Sequence, residues 1–557
     1  MDNIYKKIYE DSKLLLSGDV YNDEETLKRE SYDYSPLEVM PRLAIFPKNS
    51  LDIQKIVTYI KKQKRNNKDI SLTPRSAGID ETGGPLNESI ILDTGKYMNN
   101  LITLDSDSAV VQPGLRYADF DKVTKQHGYF LPSYPASRDL CSVGGMVGNN
   151  SGGPKTLMYG KTEQYIKQLK VILSDGHEYI LEALNKTQLH QKMKLLTFEG
   201  EIYRRMFDLI DKNYDEIQKA KPDVTKNSAG YFLWNVWDKK TFDLTKLFVG
   251  SQGTLGVTTE ITFGLVKNKK FRKMLIVFLD DVKLLSDIAQ NINNLQPEEL
   301  EMYDKSTFKM ILEHFPSYVK TLKENVFLFG FQFFPEFIKL IENRDIPQYF
   351  ILAKFAGNSG EEVNKMVDKA QKVIEKYKLT TYKVKDMEKY NEVRHKTFYF
   401  FQKQLNGKQE VTFFDDLTVQ VKYLSDFLPK LRNIVEKYTT DYFIVSHVGN
   451  GDIHMVPFFD LSDPETKTIL NTLSHEAHDL VFKYKGTSTG EHNEGLIRSP
   501  FTKQMYGEKI YKFFKQTKNI FDPENIFNPG KKVNDKGLMY ALNHLSPDSY
   551  KHKVKSI

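Results

Sequence analysis

Two short stretches concentrate the residue types that chemistry needs. Ser446-His447-Val448-Gly449-Asn450-Gly451-Asp452-Ile453-His454 places imidazoles on either side of Asn450-Gly451, a dipeptide that favours a two-residue hairpin turn. With those two residues as the loop, Gly449 opposes Asp452, Val448 opposes Ile453 and His447 opposes His454. Directly opposed residues share a face with Cβ atoms about 5 Å apart, within reach of one metal ion. Gly490-Glu491-His492-Asn493-Glu494-Gly495 adds a hard carboxylate, a third imidazole and glycines that let backbone approach a ligand. An ordinary hairpin with two cross-strand histidines has the same spacing, so these residues alone leave a metal site and a coincidence both open.

The elements that must position these residues belong to a chain of 557 residues, too long for one core and expected to divide into two or three domains. A charged fraction of 27% and a hydrophobic fraction of 40% are those of a globular protein and argue against disorder. The net charge of +6 is small for this length and gives no case for nucleic acid. The N-terminus lacks an apolar secretory segment, and no run approaches the ~18 apolar residues of a membrane span. The most apolar stretch, Val326 to Phe334, fits a buried strand. A single cysteine, Cys141, rules out internal disulfides and a four-thiolate iron-sulfur cluster. A cytoplasmic setting is therefore expected, and Cys141 reads as an inert buried thiol.

Along the chain, Leu43 to Pro47 reads as a strand, and Asn49-Ser50 precede an amphipathic helix from Leu51 to Lys64. A second strand from Ile70 ends in Pro74-Arg75-Ser76-Ala77-Gly78-Ile79-Asp80, with Gly83-Gly84 beyond, where small residues let N–H groups converge on an anion. Short strands follow to Pro113-Gly114, then a helix from Tyr117 to His127. The most glycine-dense segment runs Ser142-Val143-Gly144-Gly145-Met146-Val147-Gly148-Asn149-Asn150-Ser151-Gly152-Gly153, and its ordering cost suggests compensation by a phosphate-bearing ligand. It contains no GxGxxG, and Gly160-Lys161-Thr162 lacks the first glycine of a P-loop. Gly250 to Glu260, with Gly253-Thr254-Leu255-Gly256-Val257, sets three glycines before a β-branched strand. Past Leu265 the pattern becomes strand, turn, helix, repeated. His475 and His478, three apart, read as decoration on a helix from Asn471 to Tyr484 rather than as a metalloprotease pair. Asp415 and Asp416 read first as the start of a strand, with a place near substrate as the second reading.

Taken together, Arg75 to Gly84, Ser142 to Gly153 and Gly250 to Glu260 resemble, in order and spacing, the nucleotide-contacting loops of the FAD-binding domain of the vanillyl-alcohol oxidase type. From Phe414-Asp415-Asp416-Leu417 through the hairpin, Glu491-His492 and Phe521 to Lys531, the chain resembles the glycolate oxidase, D-lactate dehydrogenase and D-2-hydroxyglutarate dehydrogenase group. The resemblance implies an α+β protein. A bipartite FAD-binding domain of the p-cresol methylhydroxylase type, with two α+β subdomains, spans 1–266, and an antiparallel α+β cap carrying the hairpin spans 267–499. A C-terminal segment, 500–535, returns to the FAD domain, and a basic tail, 536–557, has no assigned role. It also implies FAD contacts at the three loops and at Pro113, Gly114, Ser137, Gly160 and Asn528, and a divalent ion, zinc or manganese, at His447, His454 and Glu491. His492 becomes the proton acceptor, and Arg394, in a Tyr390-Asn391-Glu392-Val393-Arg394 segment that resembles a family motif, becomes the clamp for a substrate carboxylate.

The chain departs from that family at informative places. Its hairpin usually reads His-x-Gly-Asp-Gly-Asn-x-His, whereas Asn450 and Asp452 are exchanged here; Asn493 replaces a glycine; Ser76 and Ala77 replace glycines; and Ile79 stands where covalently flavinylated relatives carry histidine, which implies noncovalent FAD. The expected activity is oxidation of a D-2-hydroxy acid of the D-lactate, glycolate or D-2-hydroxyglutarate class, with a separate acceptor (quinone, carrier protein or oxygen) reoxidising the flavin. Peripheral membrane association and a homodimer stay open, as does a second cationic contact from Arg498. The competing readings are a flavin-dependent transferase like alkylglycerone-phosphate synthase, disfavoured by the lack of three adjacent histidines, and a non-catalytic flavin subunit, disfavoured by retention of His447, His454, Glu491 and His492.

Overall fold

The computed structural model describes residues 3–307, 309, 346–384 and 407–551. Val326 to Phe334 and the segment holding Arg394 lie outside the described residues. The N-terminal half builds two larger sheets and a two-stranded one, Tyr129–Phe130 with Val266–Lys267. Leu43–Phe46 and Leu72–Arg75 flank Ile90–Asp93 in parallel, and Asp19–Tyr21 adds an antiparallel edge. The buried strands are apolar at Leu43–Phe46 and Ile90 to Leu92, and the helix Ser50–Lys64, capped by Asn49 accepting from the Asp52 N–H, covers them with Ile53, Ile56, Val57 and Ile60. A six-stranded antiparallel sheet follows, in the order Thr241–Asp243, Glu178–Asn185, Ile166–Ile172, Val257–Gly264, Ser108–Val111, Leu101–Leu104. Val257–Gly264 alternates buried and half-buried residues along its length, as a strand with one core face requires.

The C-terminal half is an antiparallel sheet in which Glu299–Asp304 pairs with Tyr442–His447, which in turn pairs with Asp452–Phe459. On one face Leu275, Val277, Leu300, Ile444 and Met455 form a core with the helices Leu285–Asn293, Leu424–Val435 and Pro464–Lys483. The last of these begins two turns before the predicted Asn471. Asp463 caps it and Pro464 opens it, a start signal legible in the sequence.

After the cap the chain returns. The helical stretch Thr502–Phe521, broken at Gly507 (φ 77°), buries Ile510, Phe513, Phe514 and Phe521 against the six-stranded sheet, and Ile526 and Phe527 join the core of the four-stranded one. Residues 536–551, expected as the beginning of a basic tail, are docked: Leu538, Ala541 and Leu542 are buried, Ser546 N–H donates to Pro36 O (3.0 Å), and Ser549 donates to Gln409 (2.9 Å). This stretch thereby ties the N-terminal half to the edge of the cap sheet.

Candidate functional site

The hairpin delivers its histidines through strand alternation. Tyr442 and Ile444 point into the helix-covered core, so Phe443, Val445 and His447 line a cavity on the other face; on the return strand Ile453 and Met455 are core, and His454 and Val456 line the cavity. The register is shifted from expectation by two residues, which keeps each side chain on its expected face. A two-residue turn of the predicted type needs positive φ at both loop positions, but among 448–451 only Gly451 has it (φ 75°), and Val448–Asn450 form a 3₁₀ turn. A Cβ at Gly451 would lie 1.9 Å from Val419 O, so only glycine fits this position of the turn. His447 therefore opposes Asp452, and His454 opposes Val445. The two imidazoles are diagonal neighbours on one face, their ring centroids 5.2 Å apart and perpendicular.

The second segment is held from behind by Asp416, itself in the left-handed region (φ 66°). Its carboxylate accepts the N–H groups of Glu491 (3.0 and 3.1 Å) and His492 (2.9 Å). Arg498 pairs with Asp416 at 3.1 Å and donates to Thr412 O at 3.0 Å, with no exposed surface. It is an internal brace, and the reading of Arg498 as a contact for a distal substrate carboxylate is corrected on that ground. Asn493 adopts the left-handed conformation expected of it (φ 71°) and donates to Gly250 O at 2.9 Å, joining this segment to the third glycine loop.

Around Glu491 Oε1 converge three imidazole nitrogens: His447 Nε2 at 3.1 Å, His454 Nε2 at 3.5 Å and His492 Nε2 at 3.8 Å. Donor atoms of His447, Asp452, His454 and Glu491 all lie within 4.8 Å of one another. The outer nitrogens are fixed by carboxylates. His447 Nδ1 donates to Glu301 (2.8 and 2.9 Å), His454 Nδ1 to Asp415 (3.1 Å), and His492 Nδ1 faces Asp415 (3.1 Å) and Glu81 (3.2 Å). This is the outer-shell arrangement that orients metal-ligating histidines. The donor set fits a divalent cation. Asp415, read first as merely opening a strand, is a member of the site; a strand does begin beside it, at Leu417–Thr418.

Burial opposes charge on every member, and the partners decide the outcome. Glu301 and Glu491 outweigh burial at His447 and hold its pKa above the usual value; Asp415 and Asp452 do so strongly at His454. At His492, Glu81, Asp416 and Asp415 overcome burial and raise the pKa to about 10. Burial also opposes ionisation of Glu491, but Lys226 and His447 hold its carboxyl well below the usual range.

A second cavity lies among the glycine loops. Of the expected cofactor contacts, Pro74, Arg75, Ser76, Gly78, Ile79, Asp80, Pro113, Gly144, Gly145, Gly148, Asn149, Gly253, Gly256 and Val257 line it. Nothing in the protein would meet a Cβ at Gly148 within 4 Å, so this wall faces open space of the kind a ligand fills. The glycine-dense segment is a helix, Val143–Asn149, started by Ser142 accepting from the Gly145 N–H and ended by left-handed Asn150 (φ 50°). Ala77, Ser137, Ser142 and Gly152 line a connecting cavity. Six expected contacts lie outside both. Asn528 donates to Gly84 O (2.9 Å) and Gln252 O (2.6 Å) and accepts from Thr73, a brace between loops. Thr254 bonds Tyr231; Asn150 accepts from the Glu163 N–H; Gly114, Gly153 and Gly160 pack against backbone or side chains.

The connecting cavity shares Gly78, Gly145 and Asn149 with the loop cavity, and Glu81, Glu491 and His492 with the hairpin cavity. The hairpin cavity has a volume of 370 Å³, and its lining also includes Arg138, Lys155, Arg272 and Lys354. Lys155 and Arg272 both bind Glu298, at 2.9 and 2.8 Å. Sequence reading missed these cations, and missed Lys226, Glu301 and Glu81, because lone charged residues on distant elements carry no local signal. Cys141 is buried at the connecting cavity, and burial pushes its thiol up to about 12.

His475 and His478 stand on the helix Pro464–Lys483, away from the site; His478 stacks on Phe501 at 3.7 Å with its Nδ1 2.7 Å from Ser474 O. Burial there depresses its pKa from 6.5 to about 3. The folded state thus binds fewer protons than the unfolded one between those values, so stability is complete above pH ~6.5 and falls by about 1.4 kcal/mol per unit below it. Urea unfolding of the wild type and His478→Phe from pH 7.5 to 5 checks this: the wild type should show the steeper loss, and parallel curves would refute it.

Profile comparison places the C-terminal domain of FAD linked oxidases at residues 268–532 and an FAD binding domain at residues 41–181. Among curated proteins, the chain is 24% identical over 536 residues to D-2-hydroxyglutarate dehydrogenase of Escherichia coli, covering 93% of this chain and 50% of that one. It is 26% identical to glycolate oxidase subunit GlcD of Bacillus subtilis (90% of this chain, 91% of that one) and 24% identical to D-lactate dehydrogenase of Archaeoglobus fulgidus (90% and 95%). The chain thus spans about half the length of the first curated relatives it matches. Among solved structures, p-cresol methylhydroxylase superposes with a TM-score of 0.67 at 16% identity (96% of this chain, 98% of that one), and alkyldihydroxyacetonephosphate synthase with 0.64 at 14% (95% and 85%), likenesses of fold. Glycine loops around one cavity, a connecting cavity that shares Glu491 and His492 with the hairpin cavity, and two successive profile matches lead to one placement: the chain carries an FAD binding domain followed by the C-terminal domain of FAD linked oxidases.

Proposed function

We propose that this chain oxidises a D-2-hydroxy acid of the D-lactate, glycolate or D-2-hydroxyglutarate class to the 2-oxo acid, with noncovalent FAD and a divalent cation, zinc or manganese. The observation that carries the reading is the continuity of the cavities: Glu491 and His492 face both the space that leads to the glycine loops and the 370 Å³ cavity. A hydroxy acid there has its α-carbon toward the loops and its oxygens toward the histidines. FAD, held by Arg75 to Asp80, Gly144 to Asn149 and Gly253 to Val257, supplies the hydride acceptor. A divalent cation at His447, His454 and Glu491, with Asp452 beside them, supplies stabilisation of negative charge on the substrate hydroxyl oxygen.

The chain's own residues do the rest. His492 takes the hydroxyl proton at Nε2, while Asp415 and Glu81 at Nδ1 hold the ring and stabilise the imidazolium. The carboxylates that raise its pKa to about 10 make it a strong acceptor once neutral, and positive charge at the neighbouring donors offsets their field and favours that neutral form. Arg394 remains the proposed clamp for the substrate's 1-carboxylate. Ile79, which stands where covalently flavinylated relatives carry histidine, lines the loop cavity, which supports noncovalent flavin. A separate acceptor then reoxidises the flavin. None of the helices of the described residues is long and apolar enough to cross a membrane.

Anaerobic mixing of the FAD-loaded protein with D- and L-2-hydroxy acids tests this. Flavin absorbance should bleach with one D-acid, stop doing so after chelation and recover with zinc or manganese. Absence of bleaching by every acid, with flavin bound, would overturn the dehydrogenase reading.

A further inference from the structure

Lys226 is the one member of the histidine-carboxylate cluster that no role above employs. It comes from the N-terminal half, on residues 225–228, a segment stitched into the cap. Thr225 donates to Asn450 O at 2.9 Å, Thr487 donates to Asn227 at 2.6 Å, and Ser228 N–H donates to Thr489 O at 2.9 Å. These bonds fix Lys226 between the hairpin and the 487–491 segment. Its ammonium lies 2.6 Å from Glu491 Oε2 and 3.0 Å from Asp452 Oδ2, with no exposed surface on Lys226 or Asp452. Glu491 and Asp452 are also the two carboxylates among the four clustered donor residues. Asp452 stands where the family's hairpin carries asparagine, the exchange with Asn450 having moved the acid two residues along the turn, and in this chain a buried cation lies against it.

Two buried carboxylates at hydrogen-bonding distance of one group require a compensating cation. We propose that Lys226 is a built-in counter-cation of the metal site: its ammonium and a divalent cation draw on the same two carboxylates, so the cluster stays folded without metal and binds metal more weakly than its four donors alone would. This rests on the metal reading of the proposed function. The alternative, that Lys226 only orients Glu491 and Asp452 for the metal, makes the opposite prediction for affinity.

The test uses full-length, FAD-loaded protein stripped with chelator. Calorimetric titration with Mn²⁺ and with Zn²⁺ compares wild type with Lys226→Met, and Asp452→Asn with the double variant; thermal unfolding is recorded with and without each metal. Lys226→Met should bind at least tenfold more tightly than wild type, and its melting temperature should be lowered mainly in the metal-free state and recover with saturating metal. The double variant, whose charge is balanced and which keeps the fold accessible to measurement, should bind at least tenfold more tightly than Asp452→Asn. Equal or weaker binding by the lysine-free member of each pair, or a melting deficit that is the same with and without metal, would overturn the counter-cation role while leaving the metal reading intact. If no protein in the set binds either ion, both fall.

Discussion

Replacing His492 with glutamine slows anaerobic flavin reduction by the substrate D-acid by about 10²–10⁴-fold, the range for loss of a positioned proton acceptor. The variant retains its flavin. The reason for expecting a chemical rather than a structural loss is that the segment is held through backbone: Asp416 accepts the residue 492 N–H at 2.9 Å whatever the side chain. Glutamine keeps the side chain polar and of similar length next to Asp415 and Glu81, but it cannot accept a proton at neutral pH. Stopped-flow absorbance gives the rate, and the flavin spectrum reports the integrity of the site. A decrease of less than about fivefold, well below the expected range, with normal flavin content would remove His492 from the chemistry.

The largest effect on stability is expected from Arg498→Met, about 3–5 kcal/mol, the cost of removing one partner from a buried charge network. Arg498 and Asp416 have no exposed surface, and their contact of 3.1 Å is supplemented by the donation to Thr412 O. With the guanidinium gone, Asp416 keeps its backbone donors from Glu491 and His492 but loses its cationic partner, and Thr412 O loses its side-chain donor. The same carboxylate positions Glu491, so metal affinity should fall together with stability. Urea denaturation measures the first effect: the midpoint should drop with an unchanged slope. A loss below ~1 kcal/mol would mean that a neighbouring cation or water substitutes for Arg498.

Much of the architecture was legible because it is written in local patterns. The helix Ser50–Lys64 announced itself by an asparagine cap and four apolar residues at helical spacing, and Tyr349–Gly357 followed by Gly360–Glu375 by a strand pattern running into an amphipathic one. The three glycine loops could be placed because their order and spacing, more than any single glycine, carry the resemblance. The same residues did not reveal that Ser142 to Asn150 winds into a capped helix, since glycine is the weakest helix former after proline and only packing against Pro113 and the third loop makes the helix worth forming.

Within the site, the residue types His447, His454, Glu491 and His492 were determined by the sequence alone, as was the displacement of the hairpin's acid to Asp452. Tertiary structure decided how they meet. In the fold the hairpin turns through Val448–Asn450 and left-handed Gly451 instead of the short turn that Asn450-Gly451 prefers in isolation, and Val419 N–H donates to Gly451 O at 3.0 Å. Glu301, Asp415, Glu81 and Lys226 joined the site from four separate elements, as far from Glu491 in sequence as Glu81 is. Asp415 was marked only as a second reading beside substrate, and the types of Glu301, Glu81 and Lys226 are common and their neighbours unremarkable, so no pattern marks those three. A buried charge is stabilised by whatever opposite charge the fold brings within a few ångströms, and which one that is depends on strand pairing and domain packing across the whole chain.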